Sequence, residues 1–151
     1  MTREVAAYIA GFLDGDGSIR IQLQPRKTKL RVRAIISFAQ KWGKEKEMRW
    51  IRKQLKIGYI YQRNDRITEL KIEGFEQVER ILRELKPHIL FKRKQLQLML
   101  QIMNLIKGGQ NLLKIAQLSD KISRLNYATT KKRYTASYVK TFLKSNTPVT
   151  T

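Results

Sequence analysis

Tyr8-Ile9-Ala10-Gly11-Phe12-Leu13-Asp14-Gly15-Asp16-Gly17 is an apolar, helix-like run that ends in two carboxylates interleaved with glycines, and few folds accommodate such an ending. A helix C-terminus carries partial negative charge, so acidic groups there are disfavoured by about 0.3–1 kcal/mol each at exposed sites. Something positive must offset them. At 3.6 residues per turn, Ala7, Ala10, Gly11 and Asp14 share one face, while Val5, Tyr8, Ile9, Phe12 and Leu13 form a bulky one. The bulky face suits the chain's own core. The small face lets a second helix approach closely, although an alanine-rich core helix has the same pattern. Asp16 is expected just past the helix end, with the chain turning through Gly15 and Gly17 free of the Cβ penalty at positive φ. If a copy of the helix packs on the small face, two such carboxylates meet near the axis and repel each other unless a divalent cation joins them. Hard oxygen ligands of this kind suit Mg²⁺.

The remaining composition narrows the chemistry. Cysteine is absent and His88 is the single imidazole, which excludes disulfide scaffolds, thiolate metal sites and His clusters within one chain. Composition also disfavours Ser-His and Cys-His triads; His88, after Pro87, reads as a structural or surface residue rather than a catalyst. Any hydrolysis must rest on carboxylates, lysines, water and a hard metal. A formal charge of +20, from 32 Lys and Arg against 12 Asp and Glu, is spread along the whole chain. That distribution points to nucleic acid rather than a membrane surface or an acidic protein. No window approaches the ~18 consecutive apolar residues of a membrane span, and the N-terminus lacks a secretory apolar core; the expectation is a soluble, intracellular protein. A length of 151 residues with 42% hydrophobic content fits one globular domain.

After Gly17 the period changes from helical to alternating. Ile19, Ile21 and Leu23 face one way and Arg20, Gln22 and Gln24 the other. A polar turn over 25–29, containing Arg26, leads to a second alternation over 30–40. Val32, Ala34, Ile36 and Phe38 point inward there, and Arg31, Arg33, Ile35 and Ser37 outward. The outward set of this long hairpin contains no Asp or Glu, whereas a merely solvated face usually mixes signs. Arg suits guanine O6/N7, Gln suits adenine N6/N7, and a two-stranded ribbon fits a major groove. This face is therefore expected to read bases.

A helix follows over 44–56, with Met48, Ile51 and Leu55 in register. A second, shorter hairpin over 58–72 turns at Asn64-Asp65, with Tyr59, Tyr61, Arg63, Glu69 and Lys71 on one face. Gly74 opens a helix that Pro87 stops. The basic cluster Phe91–Gln95 leads into an apolar helix ended by Gly108-Gly109. Helices over about 111–125 and 136–143 follow, joined by the basic link 129–134, and a loose tail begins at Ser145. The order, α-β-β-α-β-β-α with helical additions, is that of an α+β fold: one antiparallel sheet with helices on one face and polar alternates on the other.

Ile9-Ala10-Gly11-Phe12-Leu13-Asp14-Gly15-Asp16-Gly17 resembles the signature of the LAGLIDADG homing endonucleases. Ala, Gly and both Asp are in register, and Ile for Leu and Gly for Ala are conservative departures. The resemblance implies a saddle-shaped antiparallel sheet, a core over about 3–107, a C-terminal helical extension over about 108–144 and a tail over 145–151. With a single signature, it implies a homodimer paired through Ala7, Ala10, Gly11 and Asp14 on a long pseudo-palindromic double-stranded DNA site. It further implies metal bound by the Asp16 carboxylate and the Gly15 carbonyl, Mg²⁺ by preference with Mn²⁺ or Ca²⁺ able to substitute in binding. By strand order and the position of Pro87, it places a water-orienting residue at Gln40 and a phosphate-stabilising lysine at Lys92. A further basic residue falls on Lys44, Lys46 or Arg49. Asp14 is then architectural, accepting hydrogen bonds across the helix pair. Two non-cleaving alternatives share the scaffold: an RNA maturase assisting intron splicing, with RNA as partner, and a silent DNA-binding regulator.

Overall fold

The computed structural model describes residues 1–109, 111–126 and 132–146. Helix α1 spans Arg3–Asp16; the Thr2 side chain accepts from the Val5 amide at 3.2 Å and closes its N-terminus. Strands β1 (Gly17–Arg26) and β2 (Lys29–Lys41) form the long hairpin, and helix α2 is Glu45–Leu55. Strands β3 (Tyr59–Gln62) and β4 (Ile67–Glu73) form the short hairpin, followed by α3 (Phe75–Leu85) and a single 3₁₀ turn, Lys86–His88, that contains Pro87. Helices α4 (Arg93–Lys107), α5 (Leu112–Leu125) and α6 (Ala136–Asn146) complete the described chain. The element order is the one read from the alternation of periods.

All strand pairs are antiparallel, in the order β1-β2-β4-β3. Pro25 is tolerated because β1 is an edge strand, where a missing N–H breaks no inner ladder. One face of the sheet, with Ile19, Ile21, Leu23, Ala34, Ile36, Phe38, Leu70 and Ile72, is buried against Ile9, Ala10 and Leu13 of α1 and the apolar stripes of the other helices. The Phe12 and Phe38 rings stack at 5.6 Å, tying α1 to β2. Helix α5 packs on α4 and on β1, so the C-terminal additions share the main core.

Four expectations change. Helix α1 runs through Asp16, which is its last residue rather than one beyond it, and neither Gly15 nor Gly17 has a positive φ. Glycine is needed at 17 for close approach: a Cβ there would lie 2.8 Å from the Leu13 carbonyl oxygen. Ala10, assigned to the small outer stripe, is fully buried, whereas Tyr8, assigned to the core face, is 66% exposed. Ile35, on the polar face, is fully buried yet lies outside the core cluster. Ser145 and Asn146 belong to α6 rather than to a tail; residues 147–151 and 129–131 of the basic link lie outside the described residues.

Candidate active site

The two acids of α1 do different work. Asp14 accepts from the backbone amide of Leu90 at 2.7 Å and from that of Lys92 at 3.0 Å, pinning the segment before α4 to the end of α1. These bonds lie within its own chain. Lys92 returns the contact: its Nζ donates to the Asp14 carbonyl at 2.6 Å. The positive group required at this helix end therefore arrives from 78 residues away. Only 7% of Lys92 is exposed. Burial lowers its pKa from the ordinary lysine value, while the charges of Asp14 and Asp16 oppose that shift.

Asp16 lies exposed at the rim. The side-chain amide of Gln40, at the end of β2, donates to Asp16 Oδ2 at 2.7 Å. Helix-end carbonyls lack intrahelical donors: that of Leu13 accepts from Gly17, that of Asp14 from Lys92, and that of Gly15 stands beside Asp16. Asp16, Gly15, Gln40 and Lys92 thus come from three separate elements to one end of α1. Asp14, Gly15, Arg20, Phe91, Lys92 and Lys94 line the hollow beside it. The three competing basic residues are all exposed, and of them Lys44 lines a hollow together with Gln40, Tyr8 and Phe12.

Behind Gln40, a second network fixes the turn into α2. Glu45 Oε1 accepts from Gln62 at 2.6 Å, from Thr68 at 3.1 Å and from the Gly43 amide at 3.2 Å. Its own amide, Gln62 and Gly43 hold the Glu45 carboxyl down at about 2. Because Thr68 is the β4 partner of Gln40, this network also sets the end of β2 that carries the site.

Along α1, the exposed small positions are Ala7, Gly11 and Gly15. A Cβ added at Gly11 or Gly15 would meet nothing within 4 Å. Large apolar side chains flank the stripe: Tyr8 meets Trp50 edge-on at 5.8 Å, and Leu90 and Phe91, the latter 79% exposed, project from the loop that Asp14 pins.

On the polar sheet face, Arg20, Gln22, Arg26, Arg31, Tyr59 and Arg63 are exposed, and Gln24, Arg33, Tyr61 and Lys71 are half-buried. Two members of the expected reading set are withdrawn from solvent. Ser37 is buried and shares a 2.6 Å hydrogen bond with Ser18. Glu69 is buried between Arg20 at 3.9 Å and Arg63 at 3.5 Å. Burial, with Glu69 alongside, pushes the Tyr61 hydroxyl up to about 12, so it stays a neutral donor.

The face is also less open, and less purely basic, than the long hairpin suggested. Lys132, Arg133 and Tyr134 line a hollow with Arg20, Gln22 and Lys71, and Asn126 Nδ2 donates to the Ile19 carbonyl at 3.1 Å. Glu73, not singled out in the sequence, sits on this face among Arg33, Lys71 and Tyr59. Continuing the alternation of Glu69 and Lys71 by two residues would have found it. The placement of residues 132–134 over β1 has no local signature.

A family model described as LAGLIDADG endonuclease matches residues 9–96. The DNA endonuclease I-CvuI of Chlorella vulgaris is 31% identical over 125 residues, covering 79% of this chain and 78% of the relative. The DNA endonuclease I-CreI of Chlamydomonas reinhardtii is 26% identical over 138 residues, covering 86% and 83%. The crystal structure of I-CvuI in complex with a DNA target matches with a TM-score of 0.87 at 30% identity, covering 96% of each chain. That of the homing endonuclease I-TnaI shares the fold with a TM-score of 0.73 at 17% identity, covering 93% of this chain and 97% of the other.

Proposed function

The chain belongs to the LAGLIDADG endonuclease family, and we propose that it is a site-specific DNA endonuclease that cuts both strands of a long pseudo-palindromic duplex as a divalent-metal-dependent homodimer. The observation that carries this reading is the convergence of Asp16, Gln40 and Lys92 at the end of α1, where the stripe of small residues also ends.

The donor set fits a hard cation. The Asp16 carboxylate and Gly15 carbonyl are oxygen ligands at a helix end that concentrates negative partial charge. In the proposed homodimer a second copy would bring a second Asp16 carboxylate and Gly15 carbonyl to the same place. I-CvuI was crystallised with DNA targets in the presence of 2 mM Ca and of 2 mM Mg, in the latter case with the DNA not cleaved; the choice of Mg²⁺ for this chain rests on its hard oxygen donors. A bound Mg²⁺ supplies Lewis acidity toward the phosphate and eases deprotonation of the attacking water. This chain's own residues do the rest. Gln40 holds Asp16 and orients water beside it. Lys92, fixed by Asp14, carries positive charge toward the developing phosphorane oxygens. Lys44 is the third basic contributor, since it shares a hollow with Gln40.

The homodimer rests on α1. Glycine inside a helix costs about 0.5–1 kcal/mol relative to alanine, and nothing in this chain requires it at Gly11 or Gly15. A partner helix lying close on that stripe does require it. Tyr8, Trp50, Leu90 and Phe91 would then form an apolar rim around the contact.

Asp16→Asn tests the assignment. The expected outcome is loss of Mg²⁺-dependent cleavage of a site-bearing plasmid with specific binding retained, because only ligand charge has gone. Continued cutting by the variant removes Asp16 from the chemistry. Intron splicing without any nicking by the parent protein selects the maturase reading instead.

A further inference from the structure

Building on the reading of the polar sheet face as a DNA-binding surface, we propose that Glu73 is a positioning residue for base recognition. It fixes Arg33, and through Arg33 it fixes Gln22, so that the pair turns mainly hydrogen-bond donors to the duplex and favours guanine where an unheld Gln22 would select adenine.

The contacts run through all four strands. The Tyr59 hydroxyl on β3 donates to Glu73 Oε1 at 3.0 Å, and Lys71 Nζ on β4 lies 3.1 Å from the same oxygen. Arg33 Nη2 on β2 donates to Glu73 Oε2. Arg33 Nη1 donates in turn to Gln22 Oε1 on β1 at 3.2 Å. One carboxylate therefore sits at the centre of a hydrogen-bonded chain that crosses the face. Arg33, with Lys71 and Tyr59, holds the Glu73 carboxyl at about 2, so it is ionised throughout the neutral range.

The consequence for recognition follows from donor and acceptor types. A guanidinium has no acceptor, so the end of the Gln22 amide that faces Arg33 is its oxygen. That bond occupies one lone pair of the oxygen and turns this end of the amide toward Arg33, so the amide nitrogen is the end directed to the duplex. Bidentate pairing to adenine uses both ends of the amide, the oxygen accepting from N6 and the nitrogen donating to N7; guanine presents two acceptors, O6 and N7. Arg33 Nε is buried without a partner, and with Nη1 bonded to Gln22 and Nη2 to Glu73 the second N–H of each is what that side chain has left to offer a base. A carboxylate on a face that meets a polyanion costs affinity by repulsion. Bracing the readers is what Glu73 supplies in exchange.

Selection of bound and cleaved sites from a randomised duplex library, run on the parent protein, Glu73→Gln, Arg33→Lys and Gln22→Ala, tests this. The parent is expected to take guanine over adenine about tenfold at one base pair in each half-site, the discrimination typical of one well-held contact. Glu73→Gln should reduce that preference to about threefold or less, with other positions unchanged and affinity for unrelated DNA equal or higher. Arg33→Lys and Gln22→Ala should shift the same base pair, and Arg33→Lys carries the test if Glu73→Gln loses its native circular dichroism. A purely structural Glu73 predicts an even loss at every position. That result, an unchanged profile, or adenine preferred by the parent at the shifted position overturns the assignment. A parent protein that selects no site at all overturns the endonuclease reading, and this role with it.

Discussion

Asp14 and Asp16, two residues apart in one motif, separate into a fastener and an exposed carboxylate. Asp14 spends both oxygens on the Leu90 and Lys92 amides, whereas Asp16 stays at the rim with one bond from Gln40. Hydrogen bonds to a charged group are worth about 1.5–3 kcal/mol. Asp14→Ala should therefore lower stability by about that amount, read from the urea midpoint, and lower activity too as Lys92 loses its seat. Asp16→Asn should leave the midpoint within about 0.5 kcal/mol, as exposed substitutions usually do. Equal midpoints for Asp14→Ala and the parent would remove the fastening role.

At the scale of elements, α1 faces two ways, and under the proposed pairing substitutions at its glycines should act oppositely on folding and on association. Gly11→Ala should strengthen the helix by about 0.5–1 kcal/mol, since the new Cβ meets nothing in the chain. Gly11→Leu places a side chain where a partner backbone would run. Its expected outcome is a shift to monomer in sedimentation velocity, with far-ultraviolet circular dichroism unchanged and cleavage lost. Sedimentation identical to the parent would move the pairing surface off α1. Helix α2 is oriented by Glu45, which ties its first turn to β3 and β4, and Lys44, just before that turn, lines a hollow with Gln40.

For the molecule as a whole, charge governs both binding and acid stability. With a formal charge of +20, DNA affinity should fall linearly in log–log form with salt, with a slope of about 0.9 per neutralised phosphate. A slope near zero in fluorescence anisotropy would exclude a phosphate-tracking surface. Glu45 and Glu73 are held at about 2 from an ordinary 4.5 in the folded chain, and Glu79 is lowered by Lys107 and Arg83. A carboxyl with a lowered folded pKa contributes stability that is present above its unfolded value and lost as pH falls through its folded value. Urea midpoints should therefore decline as pH falls from about 4.5 toward about 2. Glu73→Gln, which cannot titrate, should decline less steeply over that window. Parallel curves would show that the Glu73 contacts add nothing to stability.

The sequence alone determined what depends on neighbours along the chain. Alternation over 19–24 and 30–38 dictates two half-buried strands, and an apolar run ending in Asp14 and Asp16 dictates a helix end that needs outside positive charge. Both signals are local, and so was the element order. Only tertiary structure decided which way α1 is turned. Its apolar arc is broad enough to bury either Tyr8 or Ala10, and the stacking of Phe12 on Phe38 settles the rotation by burying Ala10. It likewise supplied Lys92 as the needed cation and set Glu73 beside Arg33, because strand register and long-range packing join residues that no local pattern relates.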